Sequence, residues 1–364
     1  MKKYKLKIKL LVYGFPFLDE KFVVDNFELK AEKIDLSIIE KNIEDNPFSP
    51  AGYMLNCAFQ LKDDENTYYN CFETVEDLEY NVSNDKAKSK ETVIKHFFEF
   101  SELEELINNF KKKLRLIYNL RIIFPVCKFS VMDENDKLVG YFINYNDFPS
   151  QPGLGKLFDK EKFSKNSRSG FDLKSFLLTE KSNVKFNRAM SLFNDSFESS
   201  DVTVRFLLLF SCLEALFITS KTDITENLAV CTSRILLYDS SAEEKFMYDR
   251  IKELYDYRCK FVHGRKIKNI TYELELELRE IVRYVLLIYW NICLSGKTSN
   301  QIIRALKNNE KISLQTRMYA KAIKCDDYSQ AYKEMLCTIA LEIAKGNVRI
   351  TEQENGVIKS VEEI

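Results

Sequence analysis

The chain has 364 residues, 45% of them apolar and 30% charged, with a net charge of −1. That length exceeds one average domain and suggests two, and the near-neutral balance excludes a global basic field, so any nucleic acid would be met by a local patch. Nine cysteines, an odd number with no C-x-x-C, sit mostly in apolar runs, and only two histidines, His96 and His263, are present. This usage fits a reducing cytoplasm and supplies neither a disulfide framework nor a zinc site, so no metal and no cofactor is expected.

The chain opens on "MKKYKLKIKLLVYGF". Lysines alternate with Tyr4, Leu6, Ile8 and Leu10, the period of a strand with one wet face rather than the continuous apolar run of a signal peptide. Further strands are predicted in "KFVVDNFELKAEKIDL", "YMLNCAFQL", "RIIFPVCKFSVM" and "LVGYFINY". One helix interrupts them: Ser101 and Glu104 have the spacing of a capping box before "LEELINNFKKKLRLIYNL". All six prolines lie in the first 152 residues. The stretch "NDFPSQPGLGKLF" (146–158) is the candidate boundary.

Beyond residue 170 the periodicity becomes helical. Helices are predicted over 184–197, over 201–219 as a central buried helix, and over 225–238, 241–258 and 272–294. One or two more follow within 313–345, with Gly346 as a stop. The last eighteen residues are polar and read as a loose tail. The most apolar stretch, "IVRYVLLIYWNICL", is too short for a membrane span and is broken by Arg283 and Asn291, so no membrane association is expected. The fold class is therefore α+β, a β-rich N-terminal domain with a helix followed by an all-helical bundle.

The segment "YDYRCKFVHG" holds the candidate site. Met247, Ile251 and Leu254 form one apolar stripe whose next position is Arg258, so the guanidinium is expected on a packed or partner-facing side, where it needs an anion. His263 falls where the helix should end, with Gly264 as its cap. A cation near a helix C-terminus is also favourable on its own account, by roughly 0.3–1 kcal/mol. Glu214 lies mid-way along the most apolar helix. It either pairs with Arg258, Arg234 or Arg205, or lies on a narrow polar strip with Ser211.

In order, "FNRAMSLF", "RFLLLFSCLEALF", "LAVCTSRILL", "LYDYRCKFVHG" and "LREIVRYVLL" resemble the Apea-like HEPN domain, over about residues 184–295. The resemblance implies an all-helical HEPN-type bundle over 170–298; the sequence pattern adds the β-rich domain of 1–150, a helical extension of 299–346 and a polar tail of 347–364. It also implies a cytoplasmic, metal-independent endoribonuclease of prokaryotic anti-phage defence and abortive infection, with Arg258 and His263 as the catalytic R-x(4–6)-H pair. The residue after the arginine is commonly polar in active members, and here it is Cys259. The alternative is therefore a non-catalytic HEPN dimerisation or scaffold module that partners another defence or toxin component.

The chemistry needs no cofactor. RNA carries its own nucleophile, the 2′-OH. A histidine can move protons near neutrality, and an arginine fork fits a phosphate. One histidine per chain and two proton transfers favour a homodimer with both copies of the pair at one interface. Lys260 and Arg265 flank the motif and are candidates for holding neighbouring phosphates. For residues 1–150, sensing a phage component, docking RNA and holding the nuclease off all stay open, and a phage-derived trigger or a cognate regulatory protein is a further candidate partner.

Overall fold

The computed structural model describes residues 2–13, 22–24, 27–33, 61–63, 66–80, 101–118, 122–145, 183–220, 222–237, 240–264, 270–324, 328–354 and 357–363. It is of mixed α and β class, and the chain divides into two compact units, Met1–Lys160 and Glu161–Ile364. The boundary stretch 146–158 and most of "YMLNCAFQL" lie outside the described residues.

The first unit is a seven-stranded antiparallel sheet with one described helix. The strands are β1 (Lys2–Tyr13), β2 (Phe22–Val24), β3 (Phe27–Lys33), β4 (Leu61–Asp63), β5 (Asn66–Tyr80), β6 (Ile123–Met132) and β7 (Leu138–Tyr145). Their order is β2-β3-β5-β1-β6-β7, with β4 beside β5. Tyr4, Leu6, Ile8 and Leu10 are buried, as the alternation predicts. Helix α1 (Ser101–Tyr118) lays Ile107, Phe110 and Leu114 into that core. There the Phe110 ring stacks on Phe27 at 4.3 Å and meets Phe72 edge-on at 5.1 Å.

Strand β5, the longest, is not among the predicted ones. Its register explains why. Lys3, Lys5 and Lys9 of β1 stand opposite Glu79, Asp77 and Glu73, so an acidic strand is completed by a basic neighbour it meets only on folding. Glu73, almost buried, gathers the ammoniums of Lys7 at 2.9 Å and Lys30 at 2.8 Å.

The second unit is helical. Its helices are α2 (Val184–Glu198), α3 (Val202–Phe217), α4 (Ile224–Ile235), α5 (Ser241–Val262), α6 (Tyr272–Leu294), α7 (Ser299–Lys307), α8 (Leu314–Ala322) and α9 (Tyr328–Ala344). Side-chain caps start most of them: Asn183, Asp201, Ser240, Thr271, Thr298 and Ser313 accept first-turn N–H groups. Each such cap is worth about 1 kcal/mol.

Two expectations are corrected here. The most enclosed helix is α6, with Leu278, Val282, Val285, Leu286, Ile288 and Tyr289 fully buried. Helix α3 buries only one side, and Val204, Leu207, Leu208, Ser211, Ala215 and Ile218 keep some exposure at and beyond its far face. An apolar circumference does not require a buried one when a surface is left for something else. The polar tail of 347–364, read as loose, instead forms a hairpin of β8 (Val348–Glu354) and β9 (Val357–Glu363). The pair between them is Asn355-Gly356, the dipeptide most favoured in a two-residue hairpin loop. Among the described residues no helix is long and apolar enough to cross a membrane. Among the described residues no disulfide is formed.

Candidate functional site at the end of helix α5

Helix α5 begins at the Ser240 cap and runs to Val262, one turn beyond the predicted end. His263 is the C-cap residue, and its backbone N–H donates to the Cys259 carbonyl at 3.1 Å. Gly264 follows with φ of 64°, the left-handed conformation that ends helices and that glycine adopts without strain.

Ile251, Leu254 and Tyr255 anchor α5 to the bundle. The Tyr255 ring meets Phe210 of α3 edge-on at 5.3 Å, which brings its hydroxyl to Glu214, one turn further along α3. The Tyr255 hydroxyl donates to Glu214 Oε1 at 2.8 Å. Arg258 Nη2 lies 3.1 Å from the same oxygen and 3.4 Å from Oε2. The guanidinium also sits over the Tyr255 ring, 5.3 Å from its centre. Burial, and then the bond to the Glu214 carboxylate, push the Tyr255 phenol well above its ordinary pKa, so it stays protonated and donates.

Of the three arginines weighed as partners for Glu214, the structure selects Arg258. Arg234 donates to the Leu306 and Lys307 carbonyls, and Arg205 pairs with Glu275. The polar-strip reading holds as well, because Ser211 and Glu214 share a partly open face. The Glu214 and Arg258 side chains keep 25% and 23% exposure, so the pair is neither enclosed nor free in solvent.

The other predicted residues are distributed as follows. His263 is exposed and makes no side-chain hydrogen bond with the described residues, and none joins it to Arg258. Cys259 is half-buried. Lys260 pairs with Asp256 at 2.5 Å, an exposed contact worth at most about 1 kcal/mol. Arg265 lies outside the described residues. The residue that sequence reasoning missed is Tyr255. Its signal was its place three positions before Arg258 on the same helical face.

Apolar surface surrounds this end of the helix. Phe261 and Val262 are 43% and 49% exposed, and Ala215 and Ile218, beside Glu214 on α3, keep some exposure. No family model matches the chain, and no curated protein or solved structure matches it significantly.

Proposed function

We propose that this end of the bundle is the working site of a HEPN-type endoribonuclease that cleaves RNA through its own 2′-OH. The observation that carries the reading is the setting of Arg258. Glu214 and Tyr255 hold its guanidinium on a half-open face, one turn before an exposed imidazole that makes no side-chain hydrogen bond with the described residues. In the reaction, a histidine takes the 2′-OH proton and O2′ attacks the adjacent phosphorus. Arg258 stabilises the extra charge on the phosphoryl oxygens. A second proton donor protonates the departing 5′-oxygen, leaving a 2′,3′-cyclic phosphate and a 5′-OH.

The second donor is the His263 of another copy. The exposed Phe261 and Val262 and the open apolar side of α3 are surface that a two-fold partner would cover. In this reading the protein acts in the cytoplasm in anti-phage defence, with the sheet unit receiving a phage-derived trigger or a regulatory protein.

A second reading, a non-catalytic dimerisation scaffold, is favoured by one observation. Arg258 already has a carboxylate, and a neutralised guanidinium offers less to a phosphate. A labelled-RNA assay separates the two. His263→Ala and Arg258→Ala should each lower cleavage by about two orders of magnitude. Val262→Glu should give a monomer by light scattering and the same loss. Cleavage that survives His263→Ala, or that vanishes with EDTA, overturns the mechanism. A wild type that dimerises and cleaves no RNA, with or without an inducer, establishes the scaffold.

A further inference from the structure

Arg250 and Arg258 lie about two turns apart on α5 and are equally accessible, their side chains 22% and 23% exposed. Their carboxylate contacts differ. Arg250 commits every nitrogen of its fork. Its Nε and Nη2 donate to the two oxygens of Glu277 at 2.7 and 2.6 Å, and its Nη1 donates to Glu253 at 2.5 Å. Arg258 meets Glu214 through Nη2 alone, 3.1 Å from one oxygen and 3.4 Å from the other. Its Nε and Nη1 make no hydrogen bond with the described residues. Charge-assisted bonds of this kind are commonly about 2.7–2.9 Å, and solvent access, being the same at both arginines, does not explain the looser grip.

Glu214 is bound more closely to Tyr255, at 2.8 Å, than to Arg258. The phenol needs nothing from the arginine to make that bond, so the carboxylate keeps a donor when the guanidinium turns away. Nor does the departure strand an enclosed charge, because a quarter of the Glu214 side chain is open to solvent.

An arginine grips a phosphate best through two parallel N–H donors. A guanidinium has two edges that offer such a pair, Nε with Nη2 and Nη1 with Nη2. Both include the nitrogen that faces Glu214. A phosphate held by two donors of Arg258 therefore requires the carboxylate to yield, and two anions left side by side on one fork repel each other.

We propose that the Glu214–Arg258 contact is autoinhibitory: Glu214 is a resident anion on the arginine, and the phosphodiester of an RNA substrate displaces it. In the free protein the carboxylate keeps the guanidinium in place and weakens its pull on passing anions. In the complex Arg258 turns a full fork to the phosphate, and Glu214 stays behind on the Tyr255 hydroxyl. Only a phosphate that the protein also holds through its neighbours in the strand competes with the carboxylate, so the exchange sets a threshold for engaging RNA. The inference rests on the ribonuclease reading for the identity of its ligand.

The test is binding of a labelled 2′-O-methyl RNA oligonucleotide, which lacks the nucleophile and is not cleaved, to the full chain at one fixed salt concentration. Glu214→Gln keeps the acceptor for Tyr255 and removes the charge, and it should bind this RNA about tenfold more tightly than wild type. Tyr255→Phe leaves Glu214 with Arg258 alone among its described partners, and it should bind about threefold more weakly. Arg258→Ala should abolish the gain, so that Arg258→Ala and Glu214→Gln/Arg258→Ala bind alike. On cleavable RNA the Glu214→Gln gain should appear in KM rather than in kcat. A gain that persists without Arg258 is general charge repulsion and overturns the proposal, as does a Glu214→Gln variant that binds no better than wild type. If wild type cleaves RNA and Glu214→Gln shows no gain, the exchange fails and the ribonuclease stands. If the Arg258-dependent gain appears and no RNA is ever cleaved, the exchange stands and the ribonuclease fails.

Discussion

Glu214 and Glu275 lie on helices of the same unit and each holds an arginine, but their surroundings differ. Glu275 on α6 is 1% exposed and bonds Arg279 one turn later, with Arg279 Nε at 2.7 Å. Arg205 of α3 stands 3.6 Å from the same carboxylate oxygen. Both guanidiniums have further partners. Arg279 donates to Ser196 Oγ at 3.0 Å and lies over the Phe197 ring, and Arg205 donates to the Ser199 and Ser200 carbonyls. That cluster ties the end of α2 and the starts of α3 and α6 into one packed corner. The Glu214 group has fewer partners, keeps a quarter of its surface open, and borders exposed apolar side chains. The contrast separates an ion group that specifies a fold from one that leaves an arginine within reach of a ligand. Residue types alone do not distinguish them.

The largest expected effect tests that distinction directly. Glu275→Gln leaves two buried guanidiniums without a carboxylate and should cost about 3–5 kcal/mol of stability. Arg258→Ala, at a half-open pair, should cost about 1 kcal/mol or less. Trp290 is the chain's one tryptophan and lies on α6, so its fluorescence in a urea titration reports on this unit. Equal losses in the two variants would erase the comparison.

Acid offers a second way to sharpen it, through a third carboxylate. Glu342 on α9 is 3% exposed and accepts from Arg317 at 2.7 Å and Asn347 at 2.9 Å. The Arg317 bond, foremost, holds its pKa at about 2, below the ordinary 4.5. A folded pKa lowered in this way contributes stability that is present above about pH 4.5 and lost as the pH falls toward 2. Glu342→Gln should therefore be less stable than wild type at neutral pH, and the gap should close on acidification through that window. A gap that stays constant down to pH 2 would mean that Glu342 is not clamped as described.

What the sequence disclosed follows from what is local. The β1 alternation, the apolar stripe of α5 and Gly264 at its end all depend on neighbours within a few positions, and they could be read. Strand β5 could not, because its charges make sense only beside lysines more than sixty positions away. Of the site, Arg258 and Glu214 were legible as charges in apolar settings that needed partners. Their pairing needed the crossing of α3 and α5, and so did the role of Tyr255. The buried corner at Glu275 was missed because its stretch, "YELELELRE", looks like the solvated face of any charged helix. The Asn-Gly turn between β8 and β9 is a local signal, but the short, largely polar strands beside it look like a solvated tail.

The smallest effect tests whether Glu214 is a shared anchor. Tyr255→Phe removes the hydroxyl that donates to Glu214 and keeps the ring on Phe210 and under Arg258. The loss should be about 0.5–1 kcal/mol, less than the roughly 1.5–3 kcal/mol of a hydrogen bond to an enclosed charged group, because water can reach the part-open acceptor. Arg258→Ala alone likewise leaves Glu214 with one partner. Removing both leaves it with none on a face lined by Leu207 and Ala215. The Tyr255→Phe/Arg258→Ala double variant should then cost about 0.5 kcal/mol or more beyond the sum of the single changes. Additive losses would mean that the tyrosine and the arginine hold α5 independently. In that case the positioning of Arg258 rests on its own contact with Glu214, and Tyr255→Phe should leave RNA cleavage unchanged.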